Sequence, residues 1–220
     1  MKRKIFLIAA AVCVLAIAAC GSLAYFSAAK SVENTFMTAK SNPQNPPTPD
    51  ELFSVKVEET KNGSQDKTTE GNTYEKVLPG SKFTKDPVIT NTGAYDQWVR
   101  VLVTFDNVKA WNDAGVKMAD LFSTLVTAGY KSEDWTMVAP QEAKDDKATF
   151  TFYYTKEGGK LAPEGEAALF TEVTVPTSLD AEDMATLSCF HIDIEAQAIQ
   201  ADNNGTTPQL GFANWIEPTK

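Results

Sequence analysis

The sequence predicts an all-β fold, an antiparallel two-sheet β-sandwich of the jelly-roll kind with one or two short helical insertions. Three observations carry that expectation. Short apolar runs with period-two alternation, the mark of half-buried strands, recur from Phe53 to Ala198. Two stretches place apolar residues three and four apart, as a helix requires. Turn dipeptides and polar clusters punctuate the runs, and no repeat recurs at a fixed period.

The chain begins with a basic head, Met1-Lys2-Arg3-Lys4, and a nearly uncharged apolar stretch from Ile5 to Ala19. Ser22 and Ala24 are the small residues a signal peptidase reads for a cut between Ala24 and Tyr25, so residues 1–24 read as a signal peptide. Ile5–Ala19 is shorter than the about 20 apolar residues that cross a bilayer, so the processed chain is expected to keep no stable membrane span. Ile17-Ala18-Ala19-Cys20 also fits a lipobox, which would make Cys20 an acylated N-terminus. The apolar Leu23-Ala24-Tyr25-Phe26 that follows is unlike the polar tether behind a lipidated cysteine.

Residues 25–38 form an apolar N-terminal segment with Tyr25, Phe26, Val32, Phe36 and Met37 as its large side chains. Residues 39–50, with Pro43, Pro46, Pro47 and Pro49, read as an extended linker, and 51–220 as the sandwich domain. In that domain Phe53, Val55 and Val57 alternate with Ser54, Lys56 and Glu58. Lys61 to Thr73 is polar and reads as a hairpin connection. Val99, Val101, Val103 and Phe105 share one face; Trp98, Arg100, Leu102 and Thr104 share the other. Phe150, Phe152 and Tyr154 oppose Thr149, Thr151 and Tyr153. Phe190, Ile192, Ile194, Ala196 and Ala198 oppose His191, Asp193, Glu195 and Gln197. Val88-Ile89, Trp135–Val138 and Leu169–Val175 are weaker strand candidates. Met118, Leu121, Phe122, Leu125 and Val126 make one helical stripe that Gly129 can end, and 180–187 reads as a short helix capped by Ser178 or Asp180.

Composition narrows the function. The formal charge of −9 becomes −12 when Lys2, Arg3 and Lys4 leave with the signal, which argues against nucleic acid and anionic membranes as partners. Cys13 and Cys20 lie in the first 24 residues, leaving Cys189 without an intramolecular partner. Cys189 reads as a buried small hydrophobe, and the fold must rest on its core and not on disulfides.

Three blocks resemble the TasA/CalY/camelysin-like family of exported proteins of Gram-positive bacteria, processed by the SipW-type signal peptidase. The first is Gly21-Ser22-Leu23-Ala24-Tyr25-Phe26-Ser27 with Asn34-Thr35-Phe36, similar to that family's cleavage region and first mature strand. The second runs from Leu78-Pro79-Gly80 through Lys85 to Asn91-Thr92-Gly93 and Trp98-Val99-Arg100-Val101, and resembles its Pro-Gly-x-x-x-x-Lys and Asn-x-Gly turns. The third is Leu169–Pro176 with Phe190–Gln200, similar to its C-terminal strands. Pro79-Gly80 and Asn91-Thr92-Gly93 are also turn signals in their own right. The resemblance implies a secreted structural protein of the cell surface and biofilm matrix, assembling head to tail with copies of itself, and with other matrix proteins, by donating residues 25–38 to a neighbour's sheet. Tyr25, Phe26, Val32, Asn34, Phe36 and Met37 would be the assembly residues.

Catalytic signatures are missing from the sequence. Camelysin-like members imply a metallopeptidase, yet His191 is the single histidine and there is no His-Glu-x-x-His pair, so no catalytic residue, metal ligand or cofactor is expected. His191, Asp193 and Glu195 share one strand face, read as solvated. Asp145-Asp146 and Glu58-Glu59 stand in charged, polar surroundings, and Asp202-Asn203-Asn204-Gly205 reads as a turn. A surface adhesin is the alternative from another class, with aromatic hooks near Trp98, Trp111 or Trp215. Arg100 is expected to cover its neighbours with its stem.

Overall fold

The computed structural model describes the backbone of residues 27–30 and 52–213 and the side chains of 52–213. The signal peptide with Ser22, Ala24 and Tyr25, the assembly residues Phe26, Val32, Asn34, Phe36 and Met37, the linker 39–50 and Trp215 lie outside the described residues. Among the described residues the strands are β1 (Ser27–Lys30), β2 (Val55–Thr60), β3 (Lys67–Thr68), β4 (Lys82–Thr84), β5 (Val88–Asn91), β6 (Gln97–Phe105), β7 (Trp135–Val138), β8 (Ala148–Tyr154), β9 (Lys160–Leu161), β10 (Glu166–Ala168), β11 (Glu172–Thr174) and β12 (Ile192–Gln200). Among the same residues the α-helices are α1 (Val108–Asp113), α2 (Leu121–Leu125), α3 (Ala181–Leu187) and α4 (Pro208–Phe212).

The chain forms an all-β fold of antiparallel sheets with a few short helices. The largest sheet runs β1-β12-β6-β8-β7, with β9 on the opening residues of β6. A second runs β10-β5-β2-β3, and β11 pairs with β4. Its spine is β6 against β12, in register from Ile192↔Phe105 to Gln200↔Gln97. Period two aims Val99, Val101, Val103 and Phe105 inward, with Phe150 and Phe152 of β8 and Ala196 and Ala198 of β12, all with no exposed surface. One buried cluster joins them to Val55 and Ile89 of the second sheet and Val173 of β11. Full burial of each large side chain stabilises by about 1.5–3 kcal/mol.

Three of the helices, α1, α2 and α3, add residues to this core. The stripe from Met118 to Val126 is buried as expected at Leu121, Phe122 and Leu125, but it does not form one helix. A 3₁₀ turn, Met118–Asp120, precedes α2, and α2 ends at Leu125, four residues before Gly129. Phe122 packs on Phe152, Phe150, Phe170 and Tyr130, so tertiary contact sets the ends of this short element. In α3, Asp180 is the N-cap: its carboxylate accepts the Glu182 and Asp183 N–H groups, and Asp183 returns a bond to the Asp180 N–H.

On the outer face of the large sheet, α4 sets Phe212 beside Trp98 and Ile199, forming a smaller buried cluster. Arg100 lies over the Phe212 ring at 4.6 Å and its Nε donates to Gln197 Oε1 at 2.5 Å, so its stem and head both cover this patch. Trp98 and Trp111 are buried and cannot serve as exposed hooks. Trp111 is held by α1, a helix too short for its periodicity to show, and meets Phe190 edge-on.

Candidate functional site

The Pro79-Gly80 and Asn91-Thr92-Gly93 turn signals become well-defined structures. Ser81 N–H donates to the Leu78 carbonyl at 2.9 Å and Gly80 sits at φ +82, the arrangement of a type II turn with Pro79 at its first corner. Only glycine takes that φ without strain. Gly80 N–H bonds the Val175 carbonyl and Val175 N–H the Ser81 carbonyl, both at 2.9 Å, fastening the turn to the segment after β11.

Asn91 does more than turn the chain. Fully buried, its Nδ2 donates to the carbonyls of Tyr95 at 2.8 Å and Leu161 at 2.7 Å. Its Oδ1 accepts the Gly93 N–H at 2.9 Å and the amide of Gln97, which also donates to the Ser54 carbonyl at 3.1 Å. Gly93 is required by space: a Cβ there would stand 2.5 Å from the Leu52 carbonyl oxygen. Asn91 and Gly93 thus clamp the ends of β5, β9 and β6 and the entry to β2.

Lys85 closes the first motif on a buried acid. Its Nζ lies 3.0 Å from Glu59 Oε2, with the two side chains 12% and 9% exposed. The surroundings of Glu59 are charged and polar, yet buried, because period two carries it inward with Val55 and Val57. Asn72 Nδ2 donates to Glu59 Oε1 at 3.1 Å. Tyr74 donates to the Thr84 carbonyl at 2.6 Å and packs on Phe83; burial, then the Glu59 charge, push its phenol up to about 12. Next to it, burial works against the Asp86 charge, but bonds from the Thr60 hydroxyl and N–H, both 2.6 Å, and from Lys67 at 3.0 Å outweigh it and hold the carboxyl below its ordinary value.

His191 stands one residue before β12, which carries Asp193 and Glu195. Its Nδ1 meets Asp106 Oδ2 at 2.6 Å, its backbone N–H donates to Asp106 Oδ1 at 2.6 Å, and its Nε2 is 3.9 Å from Cys189 Sγ. Cys189 is exposed, contrary to expectation, because it lies in the bend between α3 and β12 and not on the ladder. Among the described residues no group of three or more His, Cys, Asp and Glu is placed to hold a metal ion. Asp145 and Asp146 form the two-residue turn before β8, both at positive φ, between reciprocal Lys144–Lys147 backbone bonds. Asp202–Gly205 is a turn, whose Asn204 carbonyl accepts the Trp98 indole N–H at 2.8 Å.

The remaining feature is an edge. Among the described residues β1 is the outermost strand of the large sheet and pairs with β12 from Ser27↔Ile199 to Lys30↔Ala196. Among the described residues no helix is long and apolar enough to cross a membrane. Compared with known proteins, the chain matches no family model, no curated protein and no solved structure.

Proposed function

We propose that the chain is an exported structural protein of the cell surface and extracellular biofilm matrix, a two-sheet, jelly-roll-like β-sandwich that assembles into fibres by head-to-tail donation of its N-terminal strand. The observation that carries the reading is the β1–β12 pairing. Four residues from the predicted donor segment lie antiparallel on the edge of the main sheet, joined to the body by residues 31–51. Backbone ladder bonds supply the affinity in strand addition, so the same register serves a strand from the same chain or from a neighbour. Twelve residues of extended linker reach up to about 40 Å, enough to cross to another subunit. A head-to-tail contact of this kind does not close on itself and gives filaments.

The family-like turns support the same reading from the other side, because they fix the body as a rigid acceptor. Processing by a SipW-type signal peptidase at Ala24–Tyr25 would expose the strand at a new N-terminus. The acidic chain disfavours nucleic acid as a partner. Deleting Tyr25–Thr38 from the mature protein tests the proposal: the deletion variant should remain monomeric by light scattering while the intact protein elongates, and a synthetic Tyr25–Thr38 peptide in excess should cap that growth. Filaments from the deletion variant identical to those of the intact protein, or no filaments from either, would overturn it.

A further inference from the structure

We infer that Lys85 and Asn72 are joined by an intramolecular isopeptide bond formed with Glu59 as proton carrier. The three side chains meet on the two oxygens of one carboxylate: Lys85 Nζ lies 3.0 Å from Oε2, and Asn72 Nδ2 is 3.1 Å from Oε1. An amine and a carboxamide held on the two oxygens of one carboxylate are the nucleophile, electrophile and acid–base group of an amide exchange between side chains.

The electrophile is held in place. Asn72 Nδ2 also donates to the Thr60 carbonyl at 2.9 Å, and Asn72 Oδ1 accepts the backbone N–H of Asn62 at 2.7 Å. That N–H points at the oxygen on which charge develops when the carbonyl carbon is attacked, so the oxyanion donor is already in position. Asn62 is itself anchored by its Nδ2 on the Thr73 carbonyl at 3.0 Å. Lys85 is 12% and Glu59 9% exposed, and the tilted Tyr74 and Phe83 rings pack nearby, so the amine and the carboxylate have little access to bulk water.

The step balances without an oxidant or cofactor. Glu59 takes a proton from the Lys85 ammonium, and the free amine attacks Asn72 Cγ to form the Nζ–Cγ bond. Glu59 then relays a proton from the attacking nitrogen to Nδ2, the Cγ–Nδ2 bond breaks, and ammonia departs carrying the first proton as ammonium. The product is a secondary amide linking the segment after β3 to the segment between β4 and β5, with Glu59 again a carboxylate. A chain whose one described cysteine, Cys189, is free gains a covalent staple of another kind, and this holds whether or not the protein forms fibres.

Tryptic mapping of the purified protein by mass spectrometry, after denaturation, decides the matter. The expected product is Thr68–Lys76 joined to Phe83–Arg100, uncut after Lys85 and lighter than the two peptides by one ammonia. Lys85→Met and Glu59→Gln should each leave both regions linear. Full-mass linear Thr68–Lys76 and cleavage after Lys85 throughout the wild-type protein, even after prolonged incubation, would overturn the bond, and a linked species in Glu59→Gln would overturn the role of Glu59. The wild-type map alone decides the bond, so a variant that folds poorly does not obscure it.

Discussion

Replacing Asn91 by Ala should destabilise the protein by about 3–5 kcal/mol, although it removes only a small polar side chain. Asn91 is fully buried and takes part in four hydrogen bonds, to Tyr95, Leu161, Gly93 and Gln97. The substitution leaves the Gly93 N–H and one Gln97 amide hydrogen without an acceptor, at about 1–3 kcal/mol for each buried donor. The Tyr95 and Leu161 carbonyls lose a donor as well, a smaller loss because a carbonyl oxygen has a second lone pair. Against the about 5–15 kcal/mol that holds a typical domain, this is a large fraction. Urea unfolding followed by the fluorescence of buried Trp98, Trp111 and Trp135 measures it. Thr92→Ala is the control: its hydroxyl meets Ser54 Oγ at 2.6 Å at an exposed position, so its loss should cost under about 1 kcal/mol. An Asn91→Ala protein within about 0.5 kcal/mol of wild type, with the same denaturant slope, would refute the assignment of Asn91 as the clamp of these strands.

Phe152→Ala should cost about 3–5 kcal/mol in the same assay, because the ring is fully buried at 4.7 Å from Phe122 and leaves a cavity behind. Asp86 has a folded value held below its ordinary 3.8, so its contribution is present above that pH and is lost as the pH falls through the lowered folded value. Asp86→Asn should therefore flatten the acid limb of a stability–pH curve in that window, and an unchanged limb would remove Asp86 as its source. Tyr74 titrates near 12 in the folded protein against an ordinary 10.0, so it favours the native state below pH 10.0 and loses that contribution as the pH rises through about 12. Absorbance titration of wild type against Tyr74→Phe should show one late-ionising phenol missing in the variant.

The long strands are legible by their alternation, which the burial of the structure repeats through β8 and in β6 from Val99 onward, whereas Trp98 of β6 and Gln197 and Ile199 of β12 are buried on the other face, Trp98 and Ile199 beside Phe212. β3, β4, β9 and β10 are two or three residues long, too short to show a period; β3, β9 and β10 form against longer partners, and β4 pairs with β11, itself three residues long. Local pattern gave the buried stripe of α2 but not its ends, which Phe122 packing decides. Glu59 could have been found, since two steps of period two beyond Val55 put an acid on the inward face, and an acid there demands a partner. That the partner is Lys85 depends on pairing between residues far apart in sequence. The same holds for His191: the ladder places Ile192 opposite Phe105, which brings the next residue, Asp106, to the imidazole, and nothing local to either residue signals it. Cys189 reads as buried from its residue type alone, and the bend that exposes it has no local signal.

Strand donation can be read directly from the β1–β12 register. Ala29 and Gln197 are paired positions, and antiparallel partners stand about 4.5–5.5 Å apart at Cα, within disulfide range. A mature protein carrying A29C and Q197C, with Cys189→Ser to remove the exposed thiol, should be oxidised during assembly and run on a non-reducing denaturing gel. The account predicts a ladder of covalently linked oligomers that collapses to monomer on reduction. A single band of internally cross-linked monomer at every protein concentration would contradict it, because β1 would then belong to its own chain.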